Sequence, residues 1–394
     1  MKGVYVCGCL VGLATVAHGQ AQVTGKVLDR QTRQPVPYAS VVVAGTTTGT
    51  TCNAEGEFAL AVVRVPAKVL VSSLGYGRDS VLVAAAGALP PLVLAPVPVQ
   101  LPAVEPVSYA AGVLAQAYRQ LQRSRAQFVY GQAFYRQLTR NGGEPTELLE
   151  AVWNTKSSSA GLAGTRLAQG RYAYHKAPMN FDNFATYTKV VGGFCGISAA
   201  DTADSHAVLS RDAARLYVLQ FKGITQSNGR SVAEIAFVSR PGIPAVSGSL
   251  FIDLASYQVL HARATRPLTT QLSKPGVAVK GAVVSMEVDF KPQTAGAVLN
   301  YIKSNASLLM EQPHKPAVPV LVESFTAFYD QRPVPTGLPY AGPDAPVGDL
   351  AAIKQKAYDP AFWRNNPEVK RTPLEDETIR SFEQQKAFGT LFDK

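Results

Sequence analysis

The sequence predicts a mainly β chain: a small N-terminal sandwich followed by an α+β domain built on a large antiparallel sheet. Three observations carry this. From Gln22 to Leu101 short alternating apolar runs are separated by turn residues at intervals of about ten positions, the all-β pattern. Pro90 to Pro106 then holds six prolines, which reads as a closing edge strand running into a stiff linker. Beyond one amphipathic helix the apolar period returns to two, in longer runs joined by hairpin signals. A chain of 394 residues exceeds one ordinary core, which agrees with more than one domain.

The elements follow in order. Met1-Lys2-Gly3, the apolar run Val4 to Val16 and the small residues around Ala17-His18-Gly19 have the layout of a secretory signal, with cleavage expected after Gly19. The run is shorter than the ~20 residues a spanning helix needs. Cys9 stands too early to be a lipidated residue, since almost no apolar segment precedes Val6-Cys7-Gly8-Cys9. The sandwich, expected over 20–101, takes strands at Val23 to Leu28, Ala39 to Ala44, Glu57 to Val63, Val69 to Ser73 and Ser80 to Val83. Phe58, Leu60 and Val62 share one face of the third, as a half-buried strand requires. A linker is expected over 102–108.

The second domain is expected over 109–335. It opens with a helix from Ala110 to Arg125, whose Val113, Leu114, Ala117, Tyr118 and Leu121 fall at helical spacing. Phe128 to Leu138 and Leu148 to Asn154 flank Asn141-Gly142-Gly143, a hairpin signal with a loop expected to exceed two residues. Further strands are expected at Arg215 to Phe221, Ser231 to Val238, Gly248 to Leu254, Gln258 to Ala264, Ala282 to Phe290, Val298 to Ser307 and Leu321 to Tyr329. Turns fall at Ser227-Asn228-Gly229 and Ala255-Ser256. Between Ser157 and Ala214 the pattern is weak and predicts irregular connections. Residues 336–394 are expected to be loop followed by a helical tail. Thr372-Pro373-Leu374-Glu375 supplies its N-cap, first-turn proline and capping glutamate.

Composition narrows the function. The net charge of +10 is spread through the chain without a Lys/Arg block, which suits anionic envelope surfaces and gives no basic stripe for nucleic acid. Once the signal is removed, Cys52 and Cys195 remain, no disulfide framework, and they are expected to be free buried thiols in different domains. His175, His206, His261 and His314 are widely spaced and begin no zinc motif, so no metal site and no cofactor are expected. Gly229-Arg230-Ser231-Val232-Ala233 lacks the last glycine of a nucleophile elbow and sits at a hairpin. Gly75-Tyr76-Gly77 lacks the third glycine and following helix of a phosphate loop. Glu55 and Glu57 imply no cleft for acid and base work. No catalytic, cofactor or metal residue is assigned. The competing reading is a hydrolase assembled only in three dimensions, with Cys195, His206 or His175 as its members.

One stretch carries a resemblance. Gly25-Lys26-Val27-Leu28-Asp29, Gln34-Pro35-Val36-Pro37-Tyr38-Ala39-Ser40-Val41, Gly45-Thr46, Gly49-Thr50, Ala54-Glu55-Gly56-Glu57-Phe58 and Ser72 to Tyr76 closely resemble the carboxypeptidase regulatory-like domain. The resemblance spans about residues 22–101. It implies a transthyretin-like, Ig-like β-sandwich, common in exported proteins of diderm bacteria and not itself a protease; no zinc carboxypeptidase motif accompanies it. Asn53 to Glu57 then reads as a hairpin turn in which Gly56 supplies the positive φ, rather than as a calcium loop. The rest is weakly similar to the curved half-barrel of periplasmic lipoprotein carriers, on its long hairpins and the Gly248-Ser249-Leu250-Phe251-Ile252-Asp253 segment. That likeness implies a curved sheet and an apolar groove for an amphipathic ligand, lined by aromatics such as Phe134, Tyr217, Phe251 and Tyr301 unless these are ordinary core. The expectation is therefore a non-enzymatic, exported envelope protein, periplasmic or outer-membrane-associated, with no transmembrane segment in the mature chain. It would bind an envelope protein or an amphipathic ligand.

Overall fold

The computed structural model describes residues 21–46, 48–62, 64–98, 107–175, 177, 179–181, 183–197, 206–268, 276–343, 348–365, 371–388 and 391–392. The expected signal and Pro102 to Pro106 of the expected linker lie outside them.

Alternating apolar residues build the N-terminal unit from β1 (Ala21–Asp29), β2 (Ser40–Val43), β3 (Gly49–Thr51), β4 (Glu57–Val62), β5 (Ala67–Ser72), β6 (Asp79–Val83), β7 (Gly87–Ala88) and β8 (Leu92–Leu94). One sheet runs β3-β2-β5-β6; in the other β1 lies between β4 and the short parallel strands β7 and β8. Val23, Val27, Val41, Phe58, Leu60 and Val69 point between the sheets and are fully or almost fully buried. Burying side chains of this size stabilises by roughly 1.5–3 kcal/mol each. The Asn53 to Glu57 turn forms as the residues dictate. Asn53 Oδ1 accepts from the Glu55 and Glu57 amides at 2.9 Å each, and Gly56 adopts φ +72° with a Cβ position only 2.5 Å from the Val27 carbonyl. Asp29 organises the other turn, accepting from the Gln31 and Thr32 amides and from the Tyr76 hydroxyl.

The second unit begins with α1 (Val107–Ser124), which starts inside the segment expected as linker. Then come β9 (Val129–Asn141), β10 (Glu144–Ser158), β11 (Gly161–His175), the short helices α2 (Ala185–Lys189), α3 (Val191–Phe194) and α4 (Ala213–Leu216), and β12 (Tyr217–Ser227), β13 (Arg230–Ser239), β14 (Ser247–Asp253), β15 (Val259–Pro267), β16 (Ala278–Lys291), β17 (Val298–Glu311) and β18 (Val318–Arg332). The C-terminal part adds α5 (Asp349–Lys354), α6 (Pro360–Asn365), α7 (Pro373–Gln384) and β19 (Leu391–Phe392). The sheet order is β12-β13-β14-β15-β16-β17-β18-β9-β10-β11-β19, antiparallel throughout except for β19, which lies parallel to β11. Register shifts at Val152/Trp153, Phe221/Gly223 and Asp289/Phe290 are bulges of the kind that bend long strands.

Two expectations are corrected here. Ser157 to Ala214 is not all irregular, because β11 occupies fifteen of its residues. Both of its sides meet other elements, so its sequence shows no apolar/polar alternation. The loop after β9 is two residues, not more: Asn141 pairs with Glu144, and Gly142 and Gly143 take φ +63° and +93°, the positive angles of a tight primed turn.

Helix α1 lays Ala110, Val113, Leu114, Ala117 and Leu121 on one face of the sheet, against Ala233, Ile235, Leu250, Ala262, Met286 and Ile302. Phe194, Cys195, Ile197 and Val208 cover the same face. The chain therefore fills its own apolar face. Of the two readings of the aromatics, the structure has ordinary core: all four are buried, Tyr217 on this covered side and Tyr301, Phe134 and Phe251 on the opposite face, packed with Tyr38, Trp363 and Leu74.

Candidate functional site

The opposite face is organised by register. In antiparallel pairs, directly opposed residues project on the same side. Following the pairs across ten strands gives one continuous row, Gln220-Ala236-Ser249-Arg263-Glu287-Lys303-Phe325-Arg136-Glu150-Arg171. Beside it runs a second, Val218-Val238-Ser247-Thr265-Ser285-Asn305-Glu323-Leu138-Leu148-Ala173. The first row alternates charge, and the second is short and polar in the middle with apolar ends.

Three pieces of the chain cover parts of this face. The sandwich inserts Tyr38 against Tyr301 and Phe325, with ring centroids 5.6 and 5.1 Å away, while Lys303 Nζ stands 4.8 Å above the Tyr38 ring. Leu74 packs with Phe251 and Leu260. At the other end α6 sets Trp363 on Phe134, Val152 and Ala327. Helix α7 sets Ile379 and Phe382 on Leu138, Leu148 and Ala173.

Beneath α7 the first row is a buried ion cluster. Glu150 accepts from Arg136 Nε at 2.7 Å and Arg171 Nε at 2.6 Å. Glu375 reaches Arg136 at 3.2 Å, and Glu383 reaches Arg171 at 3.7 Å. Burial alone would raise the Glu150 carboxyl, but Arg136 and Arg171 outweigh it and hold it down at about 2. The guanidiniums also stack, Arg136 on Phe134 and Arg171 on Trp363 and Phe388.

Between the sandwich and the edge strand β12 the two rows are open. They line a cavity of about 500 Å³, floored by Ser249, Thr265 and Ser285 and bordered by Lys222, Arg263, Glu287 and Lys303. It runs on, through shared Lys303 and Asn305, into a cavity of about 240 Å³ enclosed by Tyr38 and Glu55 of the sandwich, Arg136 and Arg140 of the sheet, and Leu374 and Glu375 of α7. From β12 to β17 five strand spacings make about 24 Å. Arg263 pairs with Glu234 at 2.9 Å and Arg140 with Glu323 at 2.7 Å. Lys222 and Lys303 have no carboxylate within ion-pair reach among the described residues. Asn305 Oδ1 has no hydrogen-bond partner in the protein. Such a trough can hold an extended chain through side-chain hydrogen bonds and ion pairs; among the described residues no hydrogen bond joins Ser249, Thr265 or Ser285 to a basic side chain.

The hydrolase candidates are not brought together. Cys195 is fully buried on the helix-covered face, where burial pushes its thiol up to about 12. His175 stacks on Phe382 across the sheet, at 5.2 Å between centroids. His206 is exposed at a separate cavity of about 210 Å³ with Tyr217 and Arg266. Ser231 lies exposed in the β12–β13 hairpin. Cys52 is free and buried in the sandwich core, where burial raises its thiol too. His261, in the sequence only one of four widely spaced histidines, lies between Asp289 at 3.4 Å and Glu287 at 3.6 Å on the open face. Among the described residues no group of three or more His, Cys, Asp or Glu is placed to hold a metal ion. No helix among them is long and apolar enough to cross a membrane.

Residues 23–91 match the CarboxypepD_reg-like domain family. No curated protein matches. Among solved structures, a LolA superfamily protein from Nitrosomonas europaea is similar at 11% identity, with a TM-score of 0.23 over 57% of this chain and 94% of that one. A structure described as showing lipid-protein interactions in lipovitellin is similar at 10% identity, with a TM-score of 0.25 over 66% of this chain and 31% of that one.

Proposed function

We propose that this is an exported, non-catalytic binding protein of the cell envelope, whose regulatory-like sandwich and antiparallel sheet together present one trough to an elongated amphipathic ligand or partner segment. The observation that carries the reading is the open stretch of the two rows, a site about 24 Å long built at the meeting of all three parts of the chain. Its polar middle and apolar ends, Val218 and Val238 at one side and Leu374 at the other, suit an amphipathic occupant. The signal-like start Met1 to Gly19 and the family of the sandwich support export, to the periplasm or the inner side of the outer membrane.

A non-catalytic role is supported by the separation of Cys195, His175 and His206 and by the absence of an activated nucleophile beside the trough. A photo-crosslinking side chain placed at Ser285, within the trough, tests the proposal in envelope extract. Adducts at Ser285 but not at Lys68 on the sandwich surface are expected; equal labelling at both positions, or at neither, overturns it.

A further inference from the structure

We infer that the trough takes a short acidic peptide segment carrying apolar residues, supplied by a partner protein. The inference rests on the trough being the binding site and adds the chemistry of its occupant.

The chain shows how its own rows are read. At the β9–β11 end, α7 answers the first row with carboxylates, Glu375 to Arg136 and Glu383 to Arg171, and the second row with Ile379 and Phe382 on Leu138, Leu148 and Ala173. The same two rows continue into the open stretch, where the first still carries basic side chains and the second turns polar through Ser247, Thr265, Ser285 and Asn305 before ending apolar. There the first row offers Lys303 and Arg263, joined by Lys222 from the edge strand, against one lining carboxylate, Glu287. The second ends in Val238 and Val218, which are 54% and 51% exposed. The rows are therefore continuous in register; α7 occupies their β9–β11 part and Tyr38 of the sandwich sits on Phe325 and Lys303, which leaves the β12–β16 part uncovered.

Charge points the same way. Lys222 and Lys303 lack carboxylate partners among the described residues, so the first cavity is left positive even with Arg263 paired to Glu234 and favours an anionic occupant, while Glu55, Glu323 and Glu375 balance Arg136 and Arg140 in the second. The polar floor selects further. Asn305 and the hydroxyls of Ser249, Thr265 and Ser285 line the cavity, and a peptide supplies them with N–H groups as well as carboxylates, whereas a lipid phosphate supplies acceptors only. A seven-residue extended segment spans about 23 Å, the length of the site.

The test uses the full chain and a fluorescein-labelled seven-residue peptide in which glutamate alternates with leucine or serine. Fluorescence anisotropy is expected to show saturable binding that weakens at least tenfold between 50 and 300 mM salt, values on the scale at which exposed charges are screened. The same peptide with lysine for each glutamate is expected not to bind. The Lys222→Glu/Arg263→Glu variant is expected to bind at least tenfold more weakly; both side chains are exposed, and an unchanged melting curve shows that it folds. Should that variant melt early, Lys222→Gln serves in its place. No binding of the acidic peptide, or equal binding by the variant, overturns the inference. So does tighter, variant-sensitive binding to phosphatidylglycerol vesicles or to polygalacturonate, which would make the occupant a lipid surface or an acidic glycan. Trough adducts at Ser285 without peptide binding would leave the site standing and remove only this occupant.

Discussion

Glu150 shows how much a single buried side chain decides. With only 1% of its side chain exposed and two arginines bonded to it, removing its charge leaves Arg136 and Arg171 sharing a buried site with only the outer carboxylates Glu375 and Glu383 to answer them. Glu150→Gln is expected to lose about 3–5 kcal/mol in urea unfolding, the cost of breaking such a pair from one side. The acid limb follows from the same carboxyl. Its folded value of about 2 lies below the ordinary 4.5, so its contribution is full above pH 4.5, shrinks as pH falls and is gone below about 2. That contribution is on the order of 3 kcal/mol. Wild-type stability measured between pH 5 and pH 2 is expected to fall more steeply than that of Glu150→Gln. The residue was visible in the sequence as a lone charge inside Leu148-Leu149-Glu150-Ala151-Val152-Trp153. Its partners were not, because Arg136 and Arg171 reach it through pairings of β10 with two different strands.

At the scale of elements, legibility followed periodicity. Strands with one dry and one wet face, such as β13 and β16, stood out by alternation, and α7 by its capping box, in which Thr372 Oγ1 accepts from the Glu375 amide at 3.2 Å. Strand β11 did not stand out, because Gly170 lies under Ile353 of α5 while Ala173 lies under α7. The cap gives a local prediction. Thr372→Ala removes an N-cap worth about 1 kcal/mol, and hydrogen exchange is expected to quicken in α7 while the amides of β13 to β16 stay protected. Equal loss of protection in both places would mean that α7 is part of the core and not a docked segment.

For the whole molecule, the sequence spoke of two folding units but not of how they meet. Among the described residues the seam includes Tyr38 in its aromatic nest, Leu74 on Phe251 and Leu260, the Gly75 amide on the Gln226 carbonyl at 3.0 Å, and Asn53 Nδ2 on the Arg371 carbonyl at 3.2 Å. Tyr38 takes φ +57°, an uncommon backbone for a non-glycine residue, and this aims its ring at Tyr301 and Phe325. The two rows were equally hidden, since each takes one residue from each of ten strands and no local window contains two neighbours. Tyr38→Ala is expected to free the sandwich while leaving both cores folded. Calorimetry would then resolve two transitions in place of one, and a single unchanged transition would show that the seam does not depend on this ring.

The sheet order has a consequence for how the chain reaches this structure. Strand β9 pairs on one side with its neighbour in sequence, β10, but on the other with β18, so that Asn141 waits for Val320 and Tyr130 for Arg332. Delivered N-terminus first, the chain would hold β9 as a bare edge carrying Phe134, Tyr135 and Leu138 until residue 332 had followed. Contacts this remote close slowly, and an uncovered edge in the interval is a template for wrong pairing. The interval between β9 and β18 is therefore the step at which this fold is most open to wrong pairing.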